Sequence, residues 1–384
     1  MLVRDRAPVR TAAGGPGASL VPSPSASASA TPTPSPTTPP SFDIAVSGDL
    51  LIHSPVAAQG RRDAGGSGYD FRAMLAPVAP EIRGADLALC HDETPISADN
   101  KRLSGYPMFW VPRELATAIE ATGYDGCSTA SNHTLDQGVP GIKATLDTLD
   151  KVGVGHTGSA RMPEEARQVK IYDVGGVKVA HLSYAYGFNG FKPPAGKEWL
   201  VNKIAVPAIL EQAHRARELG AQLVVVSLHW GVEYHAAPTP EQLEVADQLT
   251  ASDDVDVIVG HHAHVLQPIR TVNGKLVVFG LGNLLSGQSG RAGLPAATQD
   301  GAVVLLRAEP VAGDGGQGPR YRVSQYRAVL TVVEPRTFRV RPVLAALADS
   351  STPATLRRDA KAALARQTKV DPAYGSGRWL KVGS

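Results

Sequence analysis

Val255–His264 (VDVIVGHHAH) is a strand-length apolar run that breaks at Gly260 into His261, His262 and His264. Four other runs end the same way. Phe42–Ser47 (FDIAVS) opens into Gly48-Asp49, and Asp86–Cys90 (DLALC) into His91-Asp92-Glu93. Leu223–Leu228 (LVVVSL) opens into His229-Trp230-Gly231, and Leu276–Leu281 (LVVFGL) into Gly282-Asn283. Ligands of open α/β sheets bind beyond the carboxyl ends of the strands. One such ending carries little information. Five predict a single polar rim around one site.

Around these runs the chain alternates strand and helix patterns, which predicts a largely parallel sheet covered on both faces. Pro112–Thr122, Gly141–Lys151 and Ala208–Leu219 read as helices closed by Gly123, Gly153 and Gly220. Thr239-Pro240-Glu241-Gln242 reads as a capping box opening a fourth. After Gly301 the pattern changes to strands without helices between them, at Ala302–Arg307, Gln325–Val333 and Thr337–Val343, which predicts an antiparallel addition. Pro353–Arg366 reads as a final helix, and Gly313–Gly318 as a turn or flexible loop. The expected organisation is a disordered tail over 1–41, one α/β domain over 42–348, and a C-terminal helix and tail over 349–384.

The tail prediction rests on Val21–Pro40, almost wholly Ser, Pro, Ala and Thr, which has nothing to bury against the entropy of ordering. It reads as a linker or surface stalk. Met1–Leu20 carries arginines but no apolar core of a secretory signal. The stalk favours an extracytoplasmic, cell-surface location with a start upstream of Met1, and a cytoplasmic location stays open. Membrane association is expected only through such a preceding segment, since no window approaches about 18 consecutive apolar residues. A net charge of +2 gives no electrostatic case for nucleic acid. Cys90 and Cys127 are too few for a disulfide framework or a thiolate zinc site; small buried hydrophobes are the first reading, and a single disulfide stays open.

His262-x-His264 is the sharpest local signal: residues two apart on an extended segment point the same way and can face one ion. His261 is expected to point elsewhere. Asn132 offers a neutral oxygen ligand, His133 a proton for a leaving oxygen, and Asp136 either a brace for the His133 ring or a helix cap. Asp49 is the carboxylate expected of a borderline or hard divalent ion, with His53 four residues on. Glu93 suits a ligand or base role, and Glu233 follows His229 near the same rim. Trp230 reads as a pocket wall or as packing, and Asn283 as a cap of the rim or a substrate contact. Asp, Glu, Asn and His without Cys suit Mn, Fe or Zn in a hydrolytic site, with ligands enough for two ions. Two ions about 3.5–4 Å apart would activate water and hold the attacking and leaving oxygens.

Gly48-Asp49, Glu93-Thr94-Pro95-Ile96, Ala130-Ser131-Asn132-His133 with Asp136 and Gly138, His229-Trp230-Gly231-x-Glu233-Tyr234, Gly260-His261-His262-x-His264-Val265-Leu266-Gln267 and Leu281-Gly282-Asn283 occur in that order. Over about residues 42–290 the chain resembles the CapA family of poly-γ-glutamate capsule biosynthesis proteins. That family is similar to calcineurin-like metallophosphatases. The resemblance implies a four-layer α/β/β/α sandwich, metal positions at Asp49, Asn132, His229, His262 and His264, a general acid at His133 and a functional Glu at Glu93. The chain departs from the pattern where Leu50-Leu51 follow Asp49, where His91-Asp92 replace Asn-Leu, and where Ser131 replaces an Asn.

Two functions compete. The favoured one is a metal-dependent hydrolase acting on a phosphoester or a γ-glutamyl-type polymer bond. The alternative is a non-catalytic accessory that binds an anionic polymer or a polymer synthase complex.

Overall fold

The computed structural model describes residues 40–311 and 319–383. The expected tail, up to residue 39, and the expected turn at 313–318 lie outside the described residues.

The chain first lays down four parallel neighbours, β1 (Phe42–Leu51), β2 (Leu87–Asp92), β3 (Gly126–Ser128) and β4 (Gly155–Thr157). It then builds a second sheet from β5 (Lys170–Val174), β6 (Val177–Ala185), β7 (Leu223–His229), β8 (Val257–His261), β9 (Ile269–Val272) and β10 (Lys275–Val278). The order is β5-β6-β7-β8-β10-β9, with the edge strands antiparallel to a parallel centre. Both edge hairpins turn on residue pairs with positive φ, Gly175-Gly176 and Asn273-Gly274, the backbone that two-residue hairpin loops require. The chain finally returns to the first sheet with β11 (Asn283–Ser286), β12 (Asp300–Val311), β13 (Arg320–Val333), β14 (Val340–Pro342) and β15 (Leu380–Lys381). β12 lies antiparallel beside β1, and β13 beside β12.

Strand alternation sorts the apolar residues into layers. Ile44, Val46, Leu87 and Leu89 of the first sheet pack with Val179, Val225, Val257 and Val259 of the second in one buried cluster. On the far side of the first sheet, Ala45, Ala88 and Cys90 meet Val56, Leu75, Leu115 and Ile119 of covering helices. On the far side of the second, Val224, Val226 and Ile258 meet Ile209, Ala213 and Leu249. The result is a four-layer α/β/β/α sandwich in place of one sheet covered twice. Helix Ala354–Val370 and Tyr374 also enter the inter-sheet cluster.

Helix Glu114–Thr122 ends at left-handed Gly123, and Thr239 with Gln242 forms the full capping box of helix Pro240–Thr250. Cys90 and Cys127, register partners on β2 and β3, are joined as a disulfide.

His181 stands between the sheets with its Nε2 2.8 Å from Ser227 Oγ. Burial pushes its pKa down to about 3, aided by the charges of His261 and Lys170. Below an unfolded value of about 6.5, the unfolded chain binds a proton that the folded chain refuses, so stability falls as pH falls through this window. His181→Gln should flatten that limb: in urea titrations the variant loses less stability between pH 6.5 and 4 than the wild type.

Candidate metal centre

The carboxyl ends of β1, β2, β7 and β8 meet at one end of the inter-sheet layer. Asp49 continues β1 into a tight crossing, its N–H donating to the Gly282 carbonyl at 2.9 Å while its register partner is Asn283. A β-carbon on Gly48 would lie 2.7 Å from the Leu281 carbonyl oxygen and closer still to that of Gly282, so only glycine lets the strands approach.

The Asp49 carboxylate, fully buried, is 3.0 Å from His261 Nδ1 and 3.2 Å from His264 Nδ1, and it accepts the His262 N–H at 3.3 Å. Burial opposes its ionisation, but the bonds to His261 and His264 prevail and hold it well below the usual carboxylate range. His264 Nδ1 also lies 3.1 Å from Asn283 Oδ1, and its Nε2 lies 3.6 Å from Glu93 Oε1. Burial disfavours an imidazolium there, yet the charges of Glu93 and Asp49 push the His264 pKa up to about 9. Glu93 is fully buried with both oxygens lacking hydrogen-bond partners, and burial drives its pKa well above the usual range.

A second line of contacts runs from Ser128 Oγ to His91 Nδ1 (2.8 Å), from His91 Nε2 to His229 Nδ1 (2.9 Å), and from His229 Nε2 to Asn132 Oδ1 (2.9 Å). The His91 ring stacks on His261 at 4.1 Å, and the His229 ring lies 4.6 Å from His262. Burial lowers the pKa of His91, His229 and His262, the last to about 3, so these imidazoles stay neutral. The neutral imidazole is the form that ligates metal.

The predicted set Asp49, Asn132, His229, His262 and His264 therefore lies together. His133 Nδ1 is 2.8 Å from Asp136 Oδ2, which also accepts the Phe109 N–H at 2.7 Å; the Phe109 ring stands edge-on to His133 at 4.7 Å. His53 sits farther out, its Nδ1 accepting the Gly287 N–H at 3.3 Å, with burial lowering its pKa to about 4. Asn283 caps the rim through Gln288 Oε1 and the Thr298 carbonyl. Trp230 is turned away: its ring stacks on Phe279 in the outer core of the second sheet and its Nε1 donates to the Phe279 carbonyl.

Two expectations fail. His262 and His264 do not lie on extended backbone; both take left-handed φ, +86° and +55°, and share this with Tyr234 and Asn189 around the same rim. Such backbone costs a non-glycine residue on the order of 1 kcal/mol or more and persists where surroundings over-determine it. His261, expected to point elsewhere, faces Asp49, and His91 joins it. Alternation gives the missed signal: His91 follows Leu87 and Leu89 on the inward face of β2, and His261 follows Val257 and Val259 on that of β8.

The donors fit divalent cations by their chemistry. Asp49, His91 and His261 offer ligand atoms within 4.8 Å of one another; so do Asp49, Glu93 and His264, and so do Glu233, His262 and His264. These sets share Asp49 and His264. Three carboxylates gather among imidazoles, both oxygens of Glu93 lack a hydrogen-bond partner, and no thiolate is present. Carboxylate and imidazole together suit borderline divalent ions.

The four-layer sandwich is the architecture that the sequence resemblance implied. The chain belongs to the bacterial capsule synthesis protein PGA_cap family, whose model matches residues 43–288. It is 29% identical over 222 residues to the PGA biosynthesis protein CapA of Bacillus subtilis, covering 55% of this chain and 56% of that protein. It is 26% identical over 232 residues to the capsule biosynthesis protein CapA of Bacillus anthracis, covering 58% and 55%. The chain thus spans just over half the length of these relatives. Among solved structures, it is similar to the calcineurin-like phosphoesterase YfkN of Bacillus subtilis, at 16% identity and TM-score 0.44, covering 87% of this chain and 99% of that one.

Gly48→Ala tests the crossing that seats Asp49. Overpacking of this kind costs about 1–3 kcal/mol, read as a lower urea midpoint. Gly187→Ala, where nothing lies within 4 Å of an added β-carbon, should leave the midpoint unchanged.

Proposed function

We propose that the chain is a divalent-metal-dependent hydrolase of the bacterial envelope, cutting a phosphoester or a γ-glutamyl-type polymer bond during capsule synthesis. The observation that carries this reading is the convergence of overlapping donor sets on Asp49 and His264 beside the His133–Asp136 pair. The capsule names of the two Bacillus relatives support the envelope setting.

In this reading Asp49 with His91 and His261 would hold one cation, and Asp49 and Glu93 with His264 would hold another, with His262 and Glu233 beside it. Asn132 contacts His229, which in turn contacts His91, and the two close the rim between the donor sets. Mn, Fe or Zn suits this donor set. When bound, such ions supply Lewis acidity, polarising the attacked oxygen and lowering the pKa of water. The chain's own groups handle protons and position. Asp136 fixes His133 through Nδ1, which leaves Nε2 to deliver a proton to the departing oxygen. Glu93 Oε1, 3.6 Å from His264 Nε2, takes up a proton inside the site or closes on a cation. Tyr186, half-exposed and 4.6 Å from the His262 ring, walls the open side and contacts substrate.

Protein reconstituted with Mn, Fe or Zn should hold metal by elemental analysis and hydrolyse bis-p-nitrophenyl phosphate or poly-γ-glutamate. Asp49→Asn and His264→Ala should lose both metal and turnover. His133→Gln should keep the metal and lose about 100-fold or more in turnover, the scale of one general acid. Metal-free protein after reconstitution, or full activity in His264→Ala, would overturn the hydrolase reading. Polymer binding that survives chelation, without turnover, would identify a non-catalytic accessory instead.

A further inference from the structure

The charge of the chain is divided between two parts. Residues 319–384, outside the family match at 43–288, hold thirteen Lys or Arg against four Asp or Glu. Residues 40–318 hold 22 against 31, including Asp49, Glu93 and Glu233 of the metal centre. The small net charge of the whole chain conceals this asymmetry. A division of this size between segments marks an interaction surface.

The acidic groups of the basic segment are already engaged. Glu334 pairs with Arg341 and Asp359 with Arg358, while Asp349 and Asp371 accept backbone N–H groups. Arg327 and Arg366 are paired as well, with Glu81 and Asp300. Among the described residues, Arg336, Arg339, Lys361 and Lys369 have no ion-pair partner. Arg339 is half-buried and the other three are exposed.

The fold gathers these groups at the end of the molecule that holds the metal centre. β13 is antiparallel to β12, and β12 to β1, so β13 runs with β1 and ends beside the same rim. Arg336 and Arg339 lie in the turn that follows it, before β14. The register gives the level: Asp49 pairs with Asn283, Gly282 bridges Gly301, and Gly301 pairs with Thr331 near the end of β13. These are three strand steps of about 4.8 Å each, on the order of 15 Å. Helix Ala354–Val370 ends there too. Arg366 holds Asp300 through Nε and Nη2 at 3.0 and 2.9 Å, and Lys369 follows within one turn. The exposed positions of this helix include Arg358, Lys361 and Lys369 and no bulky apolar side chain.

Resting on the polymer reading of the function, we propose that Arg336, Arg339, Lys361 and Lys369 form a docking track for a carboxylate-bearing polyanion of the poly-γ-glutamate type, leading to the metal centre. The acidic body of the domain repels such a chain at long range, and the basic edge supplies the attraction. An extended polymer crosses the intervening strands in a few repeat units. One segment is therefore held at the edge while a neighbouring bond lies at the metal centre. An anionic membrane fits this surface less well, because the helix offers charge without an apolar face to insert.

The test is fluorescence anisotropy of fluorescein-labelled poly-γ-glutamate with the full chain in EDTA, so that binding is read apart from hydrolysis. Affinity should fall as NaCl is raised. Arg336→Ala combined with Arg339→Ala and Lys369→Ala should weaken binding by about tenfold or more in low salt. Arg61→Ala combined with Lys151→Ala and Arg215→Ala removes the same charge from exposed positions elsewhere, and should change it by less than about twofold. His264→Ala should bind as the wild type does; absent turnover with this binding intact would sink the hydrolase reading and not the docking track. Should the first triple variant fail to fold, its three single substitutions should give graded losses. No binding by the wild type, or equal losses in the two triple variants, would overturn the proposal. Phosphatidylglycerol vesicles bound more tightly than the polymer, with that binding lost in the first triple variant, would reassign the surface to an anionic membrane.

Discussion

A charged carboxylate with no exposed surface, Asp49, is the constraint around which this end of the molecule is organised. Taking such a charge out of water costs several kcal/mol unless partners converge on it. Here they come from the other sheet: the His261 imidazole at the end of β8, and the His264 imidazole and His262 N–H from the loop after it. The two sheets must therefore be aligned closely enough for β1 and β8 to end at the same place. The apolar layer between them does this, since the inward residues of both sheets form one continuous cluster. Gly48 and Gly282 allow the remaining approach, and the left-handed backbone of His262 and His264 turns both side chains back toward the carboxylate. Strain, crossing and buried charge are parts of one solution.

Much of this was legible in the residues. Apolar runs ending in polar residues located the rim ends of β1, β2, β7 and β8, though β10 stops at Val278 and Asn283 opens β11, and glycine and the Thr239 box marked helix limits, because these signals are local. The resemblance supplied the pairing of two sheets, which local pattern does not contain: each inward strand face reads as buried whether a helix or a second sheet covers it. The failures lie where local rules gave way. His262-x-His264 was read on extended backbone, but the packing of Asp49 beneath the loop imposes positive φ instead. His91 received no role from its local motif, although period-two alternation places residues 91 and 93 on one face and residue 92 on the other. His261 was expected to point away from the His262-x-His264 pair, whereas alternation along β8 after Val257 and Val259 turns it inward. Asn189 and Tyr186 carried no pattern at all, since the loop that brings them to the rim is fixed by tertiary packing.

The departures from the family pattern also acquire physical meaning. At the position where the family often has Asn-Leu, this chain has His91-Asp92. The first change puts an imidazole against His261 and His229, enriching the centre in nitrogen donors. The second puts a carboxyl where an apolar side chain would need no partner, beside a small cavity that Glu93, Thr129, Thr134, Thr145 and Ser159 also line. An Asp at that point without those oxygens would sit against the apolar packing of Ala88 and Cys90.

Alternation along β2 sends His91 inward, after Leu87 and Leu89, and Asp92 outward, after Ala88 and Cys90. The inward face offers imidazole nitrogen beside carboxylate, a set matched to borderline divalent ions. Because β1, β2 and β8 are each packed on both faces, the donors at their ends are held by the sandwich and not by the loops alone.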